Sequence, residues 1–238
     1  MRKIKDIFNW RRKKTDKDTD TFNWNSITIE KYYELQDILN DEVDDDITKN
    51  VKLVALITDK DESEIWDMDL TQAGEYISKL TFLNKFDIPD NPNMKFNLPG
   101  YQLKVMKDVT AINVAQYVDF QNFIKMPLRE GMEKILSIFL IPEGCKYNEG
   151  YDIIDLQKVI RENMSFRVAE GLLSFFLNRY GRSLVHSLTY CKHQMKKMKD
   201  KEMMERLEKT QKDLQQKLDS LIHLTGSISS TECQTGQN

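Results

Sequence analysis

The chain has 238 residues, enough for one good-sized domain with extensions or for two small ones. Hydrophobic residues make up 40% and charged residues 31%, which supports a packed core under a solvated surface, and nine glycines with five prolines are too few for an all-β chain of tight turns. A net charge of −3 gives no general pull toward nucleic acid, three cysteines at unrelated spacings (Cys145, Cys191, Cys233) offer no disulfide framework, and no apolar run approaches the roughly 20 residues that cross a bilayer. With no apolar core of a signal peptide at the N-terminus, the expectation is a soluble product of a reducing cytoplasm.

Residues 1–25 form a basic arm, with eight Lys or Arg against four Asp in the first twenty positions. Ile4, Ile7 and Phe8 share a helical face ahead of the run Arg11, Arg12, Lys13 and Lys14. Such a segment reads either as a short basic amphipathic helix that docks on nucleic acid, membrane or an acidic partner, or as a solvated tail. From Ser26 the pattern turns helical. Ser26 or Thr28 can cap a helix carrying Tyr32, Leu35, Ile38 and Leu39, and a second helix over 47–58 lines up Ile47, Val51, Val54 and Ile57. The acidic run "DEVDDD" (41–46) lacks the spacing and glycine of an EF-hand and favours the positive end of the following helix, and "DKDESEIWDMD" (59–69), whose carboxylates could hold magnesium only beside substrate phosphates, reads as a solvated linker. A helix from about Leu70 to Leu83 presents Ala73, Ile77 and Leu80.

"MKFNLPGYQLKVM" carries the one clear β signal. Phe96 and Leu98, then Tyr101, Leu103 and Val105, alternate with polar residues around the turn dipeptide Pro99-Gly100, which predicts a small hairpin over about 95–105. Thr110 can cap a helix through Phe123 with Ile112, Ala115, Val118 and Phe123 inward, and Pro127 opens a helix through Leu140. "FLIPEGCKYNEGYDI" then reads as a helix–helix connector in which Gly144 and Gly150 permit positive φ. Asp152 or Asp155 starts a helix with Leu156, Val159 and Ile160. Ser165 caps the most apolar helix of the chain, with Val168, Leu172, Phe175 and Phe176, which is expected to centre the core and to end or continue at Gly181.

The last helical stretch is highly polar, but Met204, Leu207, Gln211, Leu214, Leu218 and Leu221 recur at three and four, the a/d pattern of a coiled coil. About three heptads are short for a free-standing coil, so a covering helix is expected from another copy, from this chain's own core or from a different protein. The candidate protein-binding residues are Met203, Met204, Leu207, Leu214, Leu218 and Leu221, with self-association through the same stripe as the equal alternative. The expected fold is mainly α: a multi-helix globular domain with one small β-hairpin and a C-terminal coiled-coil-like helix. Its divisions are an arm over 1–25, a helical domain over 26–198, a heptad-bearing helix over 199–225 and a disordered tail over 226–238.

The sequence holds no phosphate-binding glycine loop, no dinucleotide fingerprint, no H-E-x-x-H and no G-x-S-x-G. His186 and His193 share a helix face, but Cys191 lies off it, which leaves a metal short of ligands. No cofactor, metal or catalytic residue is expected.

The stretches "VTAINVAQYVDFQNFIK" and "MEKILSIFLIPEGCKYNEGYDIIDLQKVIRENMSFRVAEGLLSFFL" resemble proteins of tailed bacteriophages that infect gut Bacteroidetes. The order of elements is similar to the small helical tail assembly chaperones encoded beside the tape-measure gene, closely over 110–180 and loosely over 28–110. The basic arm and the heptad tail depart from the simplest member of that family. The resemblance implies a non-enzymatic protein of the host cytoplasm that coats the tape-measure helix and draws tail-tube subunits onto it. The alternative is a structural or DNA-associated protein of the virion that uses Arg11, Arg12, Lys13, Lys14 and the cluster Lys192, Lys196, Lys197, Lys199 and Lys201 on phosphates.

Overall fold

Short oxygen-bearing side chains set the helix starts. In the computed structural model, which describes residues 22–88, 95–106, 108, 111–197 and 201–230, Thr28 accepts from Lys31 N ahead of α1 (Ile29–Asn40), and Asp45 accepts from Thr48 N ahead of α2 (Asp46–Thr58). The "DKDESEIWDMD" run is more than a linker. It folds a short α3 (Glu62–Trp66) that buries Ile65, and Asp69 then caps α4 (Leu70–Lys79). The helix expected to reach Leu83 tightens after Lys79 into a 3₁₀ turn over Leu80–Asn84.

The chain divides into two compact units, Met1–Pro89 with Val159–Val168, and Asp90–Lys158 with Ala169–Asn238. This differs from the domain read over 26–198, because the sequence places no linker signal inside the helices that contribute to both. In the first unit Val51, Val54 and Ile57 are buried with Leu35, Ile65, Tyr76 and Leu80, while Ile47 of the expected stripe is exposed. Trp24 donates to the carbonyls of Phe82 (3.2 Å) and Lys85 (3.0 Å) and meets Phe86 edge-on. Phe166 stacks flat on Tyr32 with centroids 3.4 Å apart.

The second unit contains the hairpin. β1 (Lys95–Leu98) and β2 (Tyr101–Val105) pair antiparallel across Pro99-Gly100, and Gly100 takes φ 77° as a type II turn requires at that place. β2 then pairs with a third strand, β3 (Leu140–Pro142), through Leu103↔Pro142 and Val105↔Leu140. The residues read as the end of a helix and the start of a connector are thus the far edge of a three-stranded sheet. The strand follows directly on α6 (Leu128–Phe139), and α5 (Val114–Phe123) precedes that helix.

On α5 the expected inward face is reversed. The cap is Asn113, in a reciprocal capping box with Gln116, and the buried residues are Gln116 and Phe120. Ala115 and Val118 face solvent, and Ile112 and Phe123 are half-buried. Gln116 can sit inside because its amide donates to the Ile138 carbonyl at 3.0 Å.

α7 (Ile153–Asn163) starts at Asp152, whose Oδ1 accepts from Ile154 N at 2.8 Å. α8 (Phe166–Lys197) runs unbroken through Gly181. From Ala169 onward its buried residues Leu172, Leu173, Phe176, Leu177, Tyr180, Leu184 and Leu188 recur at three and four and centre the core of the second unit; Phe175 is half-buried. Phe176 stacks on Phe139, and Phe120 meets Phe139 and Tyr180 edge-on. α9 (Lys201–Ser230) continues past Gly226, so the tail expected to be irregular from 226 is helical to Ser230.

Candidate functional site

The heptad stripe lies on α9 and is covered unevenly. Leu221 is 4% exposed, Leu218, Leu214, Leu207 and Met204 are half-buried, and Met203, beside the stripe, is 53% exposed. The covered end meets α8 at a glycine. A Cβ placed on Gly181 would lie 3.0 Å from Leu221 Cδ2, so the absence of a side chain there lets α9 approach. Of the three covers foreseen for the stripe, this chain's own core supplies the one over Leu221.

A second contact pins α9 to α5. Lys217 Nζ donates to Asp213 Oδ2 at 2.8 Å and to the Tyr117 hydroxyl at 3.0 Å, and it lies over the Tyr117 ring. Burial alone would lower the Lys217 pKa. The hydrogen bonds to Asp213 and Tyr117 outweigh it and hold the ammonium above its ordinary range. Neither Tyr117 nor Lys217 belonged to the stripe read from the sequence. A contact between residues 100 positions apart leaves no local signal.

Beside that contact an open groove of about 530 Å³ runs between the two helices, lined by Leu177, Gly181 and Val185 of α8 and by Leu218, Leu221 and Ile222 of α9. Its α8 wall carries Arg182, Val185, His186 and Thr189 at i, i+3, i+4 and i+7, all exposed. The spacing was readable, but one valine among polar residues does not mark an apolar face. A more polar trough in the first unit sets Glu34, Asp59, Asp61 and Glu62 alongside Lys52 and Lys60, with Ile38, Ala55 and Leu56 also lining it.

Two tyrosines of the second unit are held protonated by carboxylate partners. Tyr147 donates to Asp119 Oδ2 at 2.8 Å, and burial together with that bond pushes its pKa up. Tyr101 donates to Asp155 Oδ2 at 2.7 Å and is pushed up to about 12. Among the described residues no group of three or more His, Cys, Asp or Glu side chains is placed to hold a metal ion. His186 and His193 are exposed, whereas Cys191 is buried. Arg11, Arg12, Lys13 and Lys14 lie outside the described residues, as do the side chains of Lys196, Lys197, Lys199 and Lys201.

Among the described residues no helix is long and apolar enough to cross a membrane. Comparison with protein-family models, with curated proteins and with solved structures finds no match to this chain.

Proposed function

We propose that the chain is a non-enzymatic phage protein that binds another protein during assembly of the virion tail. It shields an amphipathic helical client, such as a tape-measure protein, in the cytoplasm of the bacterial host. The observation that carries this reading is the uneven cover of the α9 stripe, buried at Leu221 and half-buried from Leu218 back to Met204, with Met203 beside it more than half exposed. A helix whose apolar stripe is buried at one end and only half covered along the rest has surface left for a second helix. Methionines at the open end suit a client whose side chains vary along its length, because the thioether chain repacks easily.

The test is co-expression with the cognate tape-measure protein. The expected result is a soluble complex that co-elutes and that Met203→Asp combined with Leu207→Asp disrupts. A client that stays insoluble, with no complex eluting, removes the reading.

A further inference from the structure

The groove between α8 and α9 lies at the buried end of the stripe, away from Met203 and Leu207. Its floor is apolar and its flanks leave Val185 (49%) and Ile222 (59%) exposed. No Asp or Glu lines it, and Arg182 makes no ion pair or hydrogen bond among the described residues. A trough between two helices with an apolar floor is the shape into which a third helix packs. An arginine at its lip with no carboxylate partner among the described residues adds a preference about charge.

We propose that this groove docks one amphipathic helix of a partner protein, with apolar residues against Val185 and Ile222 and a carboxylate-bearing edge along Arg182 and His186. The chain's own segments fit poorly. The N-terminal arm brings eight basic residues against four acidic ones in its first twenty and would meet Arg182 with like charge. The stretch 201–214 of α9 carries four acidic and four basic residues, so a second copy presents a charge-balanced edge. The last eight residues, "TECQTGQN", hold no large apolar side chain for the floor. Identifying the partner with the tail-assembly client rests on the function proposed above; the groove itself does not.

The experiment uses the full chain and two labelled designed helices of about 20 residues, roughly 30 Å long. Both carry the same leucine stripe; one has glutamate edges and the other lysine edges. Fluorescence anisotropy is expected to show binding of the glutamate-edged helix, with the lysine-edged helix about tenfold weaker or more. Arg182→Glu should erase that preference, and Val185→Asp should abolish binding of both. Both positions are exposed, so the variants are expected to fold, which circular-dichroism melts check. Equal binding of the two helices, or binding untouched by Val185→Asp, overturns the proposal. So does a dimer in sedimentation that Val185→Asp splits, since a second copy would then fill the groove. A tape-measure complex that survives Val185→Asp overturns the identification of the groove's partner with that client. A retained preference for the glutamate edge without any tape-measure complex removes the client reading and leaves the groove standing.

Discussion

Tyr101 donates a hydrogen bond from its phenolic O–H to Asp155, and that bond, more than burial, holds its pKa up to about 12. Tyr180 reaches about 12 by burial first and by the neighbouring Tyr117 second. In the unfolded chain both phenols lose their protons near pH 10. Between about pH 10 and about pH 12 the folded state therefore binds more protons than the unfolded one, and stability falls as pH rises. Urea midpoints should hold steady up to about pH 10 and then drop through that window. Tyr101→Phe should flatten part of the drop; a variant with an unchanged slope would show that the bond to Asp155 contributes nothing. Glu133 poses the opposite case. It is 6% exposed on α6, and its Oε2 has no hydrogen-bond partner among the described residues. A buried polar atom left unsatisfied costs about 1–3 kcal/mol. Glu133→Met keeps the length of the side chain and removes that atom, so the urea midpoint should rise. A fall would show that the carboxylate has a partner, such as bound water.

The element where stability and binding separate is α9. Leu221 is buried against the Gly181 face, and its truncation to alanine should cost about 2–5 kcal/mol. Met203 is more than half exposed, and its truncation should change stability by less than about 0.5 kcal/mol. Denaturant unfolding of the two variants checks the contrast. Equal losses would mean that the stripe is covered along its whole length. The a/d spacing of α9 was legible in the sequence because a heptad repeat is local, but its coverage was not, because that depends on a glycine some forty positions away. The hairpin was legible for the same reason: alternation and Pro-Gly sit within eleven residues. β3 was hidden. It has only three residues, it follows a helix without a turn, and its apolar run continues the helical pattern of α6. On α5 the apolar count pointed to Val118, yet Gln116 goes inside, because a carbonyl of α6 accepts its amide and the capping box fixes the rotation of the helix. Local periodicity carries no knowledge of such a distant acceptor.

For the whole molecule the least legible feature is the ten-residue segment Val159–Val168 that completes the first unit. Nothing in residues 26–89 announces a missing piece, because their apolar residues already form helical stripes. The segment is nonetheless stitched in by backbone and side chain. Ile29 N donates to the Met164 carbonyl at 3.1 Å, and Phe166 N donates to the Ile27 carbonyl at 2.7 Å. Arg167 donates to the Asp87 carbonyl at 2.8 Å and pairs with its carboxylate at 2.7 Å. Ile160, Met164 and Phe166 are all at least 95% buried. Phe166, stacked on Tyr32 and tilted against Trp24 and Phe86, alone contributes about 1.5–3 kcal/mol within the first unit. That is a large share of the whole stability of a small domain, about 5–15 kcal/mol. A fragment ending at Pro89 should therefore keep helical circular dichroism but lose cooperative urea unfolding and bind a hydrophobic dye. Within the intact chain, Phe166→Ala should cost about 3–5 kcal/mol, because it removes the ring stacked on Tyr32 and leaves a cavity beside Trp24. If the fragment instead unfolds in one steep transition and binds no dye, residues 22–89 hold their core unaided. The two-unit division would then reflect where the segment rests, with no part in what stabilises the fold.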